Sequence, residues 1–125
     1  MPFTTHWVVN NRIIADRIDH NLTPELQLAQ DKLIQNLLEQ SERPQSHIIL
    51  DCTNITFPTF RKRDWVTNAH LGWIVFYGVT NPLFKISVGL VLKIRGIRHH
   101  FADNADDALK FLHEVDISLP KAETA

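Results

Sequence analysis

Short apolar runs alternate along this chain with stretches in which apolar residues recur every three or four positions, a pattern that predicts strands and helices in turn. His6 to Asn10 and Arg12 to Ile18 alternate weakly around Asn10-Asn11, a pair that tolerates positive φ, and read as two strands joined by a tight hairpin. Thr23-Pro24-Glu25 opens a helix with a capping hydroxyl, a proline at the first helical position and an acid in the first turn. Leu26, Ala29, Leu33 and Leu37 give its apolar stripe, Ile34 and Leu38 widen it, and Pro44 lies past its end. His47 to Cys52 reads as the next strand, and Arg61 to His70 as a short helix with Trp65, Val66 and Ala69 inward. Trp73 to Tyr77 is apolar throughout and bounded by Gly72 and Gly78, as a central strand buried on both faces would be. Asn81-Pro82 starts a third helix that stops near Gly96. Ile97 to Ala102 forms the last strand. Asp103 or Asn104 caps a final helix with Ala108, Phe111, Leu112 and Val115 on its apolar side.

The order ββαβαβαβα predicts an α/β fold, an open and mostly parallel sheet of four or five strands with about four helices packed on it. No internal repeat or linker divides the chain, so residues 1–117 read as one domain and 118–125 as a flexible tail.

Composition narrows the function. A chain of 125 residues, 44% hydrophobic, can bury the core of one folded domain. Its net charge of −1 argues against broad, charge-driven nucleic-acid binding but leaves room for a local basic patch. Cys52 is the only cysteine, which rules out an intrachain disulfide and fits a reducing compartment. MPFTTHWVV has neither a basic nor a long apolar signal region, and no apolar run is long enough to span a membrane, so the expected location is cytoplasmic.

The stretch from His47 to Asp64 is where a site would be sought, because ligands of open α/β sheets gather at strand ends. It holds no phosphate-cradling glycine loop, no nucleophile elbow and no metal-ligand spacing. The seven histidines are scattered, and His99-His100 on a strand would point to opposite faces. Cys52 reads as a small core residue, and the spacing of Asp51 and Asp64 suggests no carboxylate pair. The expectation is a protein without catalytic residues, metal or cofactor. Arg61-Lys62-Arg63, between Phe60 and Trp65, would suit an anionic or stacked partner, although a solvated helix face is the favoured reading.

The third helix carries the sharper hint. In PLFKISVGLVLKIR, Lys85, Gly89 and Lys93 form one narrow polar line, and apolar residues cover the other faces. Leu83, Val91 and Ile94 cannot all face a sheet together with Phe84, Val88 and Leu92. The surplus predicts a subunit interface, a bound apolar ligand, a lipid surface or a deep groove, with a homodimer the commonest solution. Gly89 would permit close approach of a neighbouring helix. Phe60, Trp65, Leu83, Leu90, Val91 and Ile94 are the candidate interaction or ligand surface.

Two local sequences point to a family. Asn54-Ile55-Thr56-Phe57 leads into the second helix, and Asn81-Pro82, Gly96 and Ala105-Asp106-Asp107-Ala108-Leu109-Lys110-Phe111-Leu112 mark the last helix–strand–helix unit. With the element order, they resemble a STAS-type domain, the fold of bacterial anti-sigma-factor antagonists, and most closely its divergent group placed with the CRAL-TRIO (Sec-fourteen type) lipid-transfer fold. The resemblance covers roughly Trp7 to Val115 and rests on element order and apolar pattern. It implies a mixed sheet with an antiparallel edge from the hairpin. Antagonists of that family carry Asp-Ser-Ser or Asp-Ser-Thr at the start of the second helix, with a phosphorylated Ser or Thr. Here Pro58-Thr59-Phe60 stands there, with Thr59 at the Asp position and Phe60 at the acceptor position. Thr59 is either a displaced regulatory acceptor or a helix cap, and cap chemistry is the favoured reading. With the absence of catalytic motifs and the surplus apolar surface of the third helix, the expected function is a non-catalytic STAS-like regulator working through protein contacts, as a homodimer. The alternative is a carrier of a small apolar molecule or lipid, with Phe60, Trp65, Trp73, Phe76 and the third helix lining its pocket, although a chain this short leaves little room for one.

Overall fold

The structure is a computed structural model and describes residues 3–9, 12–18, 24–40, 46–53 and 71–116. Five strands and three helices are present among them: β1 (Phe3–Val9), β2 (Ile13–Ile18), α1 (Pro24–Gln40), β3 (Ser46–Asp51), β4 (Leu71–Tyr77), α2 (Pro82–Ile94), β5 (His99–Ala102) and α3 (Ala105–Val115). The sequence-predicted Asn10-Asn11 turn, Thr23 cap, 61–70 helix and 118–125 tail lie outside the described residues.

The sheet is mixed and its strand order is β1-β2-β3-β4-β5, the order of the chain itself. β1 pairs antiparallel with β2, and the three remaining pairings are parallel. Successive parallel strands step the same way across the sheet, so right-handed crossovers place their helices on one face. α1 and α2 share that face. Ile34 and Leu38 of α1 and Phe84, Val88 and Leu92 of α2 pack with Ile14, Ile48, Leu50, Ile74 and Phe76 of the strands. α3 crosses to the other face, where Ala108 and Leu112 meet Ile13, Ile49 and Val75. The interior strands are therefore apolar on both sides, as strands sandwiched between helix layers must be.

The sequence signals for α2 and α3 match the observed ends. Asn81 caps α2, its side chain accepting the Leu83 backbone N–H at 2.9 Å, and Gly96 takes φ +70° beyond the helix. Asn104 caps α3 by accepting the Asp107 N–H at 2.9 Å, with Asp106 and Asp107 in the positive first turn.

Four details depart from expectation. The buried stripe of α1 runs through Gln30, Ile34 and Leu38, while Ala29 and Leu33 are exposed, because Gln30 turns inward to a buried carboxylate. Val115 is likewise exposed on α3. Gly72 lies inside β4 rather than before it, because the His47 ring occupies the space where a side chain would be. Gly89 admits no neighbouring helix. A Cβ there would stand 3.3 Å from His99 Nε2, so this glycine lets α2 settle onto β5.

Candidate functional site

Strand alternation sorts the polar residues of the sheet. β2 sends Asp16 toward α1, and β3 sends His47 and Asp51 toward the α3 face.

Asp16 is buried beneath α1. It accepts the Thr5 hydroxyl at 2.6 Å on Oδ1 and the Gln30 amide at 2.6 Å on Oδ2. Burying a carboxylate is costly unless donors surround it, and β1 and α1 each supply one.

His47 is the second buried polar centre. Its Nδ1 accepts the Trp73 backbone N–H at 2.9 Å, and its Nε2 lies 2.8 Å from Asp116 Oδ2. The acceptor role of Nδ1 fixes the tautomer: Nε2 carries the proton and donates it to Asp116. Arg12 Nη2 reaches the same carboxylate oxygen at 3.2 Å. Burial lowers the His47 pKa below its ordinary value, Asp116 opposes this by hydrogen bond and charge, and Arg12 and Arg98 reinforce it. The group clasps the start of β2, the start of β3, β4 and the residue after α3. His47 is 2% exposed, so it offers nothing to a substrate. The cluster anchors the residue after α3 to the sheet.

Above it, Trp73 meets the Phe111 ring edge to face at 5.1 Å, and His100 stacks parallel on Phe111 at 3.8 Å. Arg98 lies 5.6 Å from the Trp73 ring centre. His99 turns to the opposite face beside Phe101. Trp73 and Phe76 also occupy opposite faces of β4, so they do not line one pocket. The described hollow, about 320 Å³, is open and lies between β5 and α3 among His100, Asp103, Asp107, Lys110, Phe111 and Glu114.

At the carboxyl ends of β3 and β4, Asp51 Oδ1 accepts both the backbone N–H of Thr53, at 3.0 Å, and its hydroxyl. Tyr77 pairs in register with Asp51 and bonds to its carboxylate. Burial first, then the charge and hydrogen bond of Asp51, push the Tyr77 phenol up to about 12. The phenol is thus held protonated beside a carboxylate that also accepts from Thr53. Gly78, at φ +81°, allows the chain to turn against Thr53, where a Cβ would meet the Thr53 hydroxyl at 2.5 Å. Cys52 is buried in the core, 2% exposed.

The outer face of α2 is the feature that packing leaves unexplained. Phe84, Val88 and Leu92 are buried against the sheet. Leu83, Ile86, Leu90 and Ile94 are 59%, 67%, 58% and 76% exposed. At 100° per residue these four fall within an arc of about 80°, centred roughly 155° from the buried set. Val91 sides with the core, half-buried against the same cluster as Leu92. Of the sequence candidates, the structure therefore brings Leu83, Leu90 and Ile94 together, adds Ile86 and turns Val91 inward. Thr59, Phe60 and Trp65 lie outside the described residues. The His47 clasp and the Asp16–Gln30 pair were missed from sequence, and no spacing signals them. Among the described residues no group of three His, Cys, Asp or Glu side chains is placed to hold a metal, and no helix is long and apolar enough to cross a membrane.

No family model matches the chain, and no curated protein matches it either.

Proposed function

We propose that this chain is a non-catalytic regulatory module of STAS-like type that works by contact through the outer face of α2. The carrying observation is the stripe of Leu83, Ile86, Leu90 and Ile94, on the side of the helix turned away from the sheet. Single exposed leucines are ordinary on protein surfaces, but four in register on one helix mark an interaction site. The in-order mixed sheet with a hairpin edge supports the STAS-like reading. Thr59-Phe60, where relatives of that type would carry their phosphoacceptor, supports regulation by contact alone.

Site-specific photo-crosslinking tests the reading. A photoreactive residue in place of Leu90 or Ile86 should give discrete adducts in cells. The same residue in place of Lys32, exposed on α1, should give none. Equal labelling from all three positions, or none from α2, would sink the proposal.

A further inference from the structure

Charge selects the occupant of the α2 face. From Thr80 to Ala102 the chain holds Lys85, Lys93, Arg95 and Arg98 and no acid, a local charge of +4. The whole chain carries −1, so the remainder carries −5. Lys85 and Lys93 are exposed on α2 itself. Lys93 stands about 65° around the helix from the centre of the apolar stripe. The apolar residues therefore project from a cationic, acid-free segment of a chain whose remainder is acidic.

The stripe lies on the side of α2 opposite the sheet. Its four side chains present roughly 300–450 Å² of apolar surface. Pairing α2 with a second copy would bury about 600–900 Å² of this apolar surface. Each α2 in such a pair would bring two lysines and no acid to meet them. A lipid surface needs no matching groove. It accepts apolar side chains at the headgroup–acyl boundary, and an anionic leaflet draws cations to it.

We infer that α2 docks lengthwise on an anionic lipid surface, with Leu83, Ile86, Leu90 and Ile94 inserted and Lys93 at the headgroup phosphates. Lys85 adds to the attractive field from within a Debye length. This rests on α2 being the contact face and names what that face meets. The rest of the domain stays in water, held against the membrane plane by one helix.

Co-sedimentation of the full chain with vesicles tests it, using phosphatidylcholine alone or with about 30% phosphatidylserine. Binding is expected to the anionic vesicles only, and to fall as salt rises from about 0.1 to 0.5 M. Ile86→Glu/Ile94→Glu should bind at least about tenfold more weakly. Lys85→Gln/Lys93→Gln should bind several-fold more weakly, with both thermal melts unchanged. Equal binding to neutral and anionic vesicles would overturn the inference. So would a lipid-free dimer that ignores vesicles and is split by Ile86→Glu/Ile94→Glu, although α2 would remain the contact face. A monomer that binds no vesicle and gives no crosslink from α2 would overturn both.

Discussion

Replacing Gly72 with alanine adds one methyl group to a point of the sheet already filled by the His47 ring. The new Cβ would stand 2.4 Å from His47 Nδ1, 2.6 Å from its Cε1 and 3.2 Å from the Ser46 carbonyl oxygen. Real Cβ contacts do not come this close, so the imidazole must move. It has no free direction, because Trp73 N–H and Asp116 hold its two nitrogens. Displacement strands a buried backbone donor and weakens a charge-assisted bond, each costing about 1–3 kcal/mol. Overpacking adds a similar ~1–3 kcal/mol. The entropy lost with glycine returns only about 0.4–1 kcal/mol. These contributions span about 2–9 kcal/mol, and partial relaxation of the ring should leave a net loss in the lower half, about 3–5 kcal/mol, or roughly 10–20 °C in Tm for a domain of this size. His47→Ala by itself should also destabilise, but in that background the Gly72→Ala methyl enters vacated space and should cost less than about 1 kcal/mol. Urea titrations of the four proteins, followed by circular dichroism, give the coupling, expected at about 2–5 kcal/mol. Costs that simply add, within ~0.5 kcal/mol, would show that Gly72 and His47 are not in conflict and refute the argument.

The lowered pKa of His47 makes stability depend on pH in a defined direction. Below pH ~6.5 the unfolded chain binds a proton that the native histidine, facing Trp73 N–H, Asp116, Arg12 and Arg98, still refuses. Stability should therefore be full above neutrality and fall as pH drops from ~6.5 toward the native pKa. A urea midpoint that is flat between pH 7.5 and 5, or an equal slope in His47→Ala, would contradict this. The two neighbouring residues of α2 should separate cleanly: Leu90→Glu should unfold within ~0.5 kcal/mol of wild type, and Val91→Glu should lose about 1–3 kcal/mol by pressing a carboxylate into the core. Thermal melts of both variants decide it, and equal losses would mean that the division of α2 into inner and outer faces is wrong.

The fold was legible wherever burial follows periodicity. β4 could be read because a run such as Trp73 to Tyr77 has no polar position to spare for solvent, and the ends of α2 and α3 because Asn81, Gly96 and Asn104 are local chemistry. The surplus apolar surface of α2 was also visible, since no single stripe could hold Leu83, Phe84, Val88, Leu92 and Ile94 together. Which set faces outward was not, because Val91 lies near the boundary and only the position of the sheet decides it. Gln30, Asp16 and His47 were invisible for a different reason. A polar residue is buried only when its partner arrives from another element, and Asp16 lies fourteen residues from Gln30 and His47 sixty-nine from Asp116. Glycines were misread in the same way: Gly72 and Gly89 looked like punctuation and a helix contact, yet each makes room for a histidine ring.

The in-order sheet and the Asp116 clasp also set an order of assembly. Each strand pairs with the one made just before it, so the sheet can grow during synthesis from contacts of modest sequence separation. The clasp is the opposite case. Arg12 meets Asp116 across 104 positions, so Arg12 and His47 wait inside the forming sheet for a carboxylate that emerges only after α3. The lock on the described sheet therefore depends on the segment that follows α3. A nascent chain stopped before Asp116 would hold paired strands while remaining open to proteases.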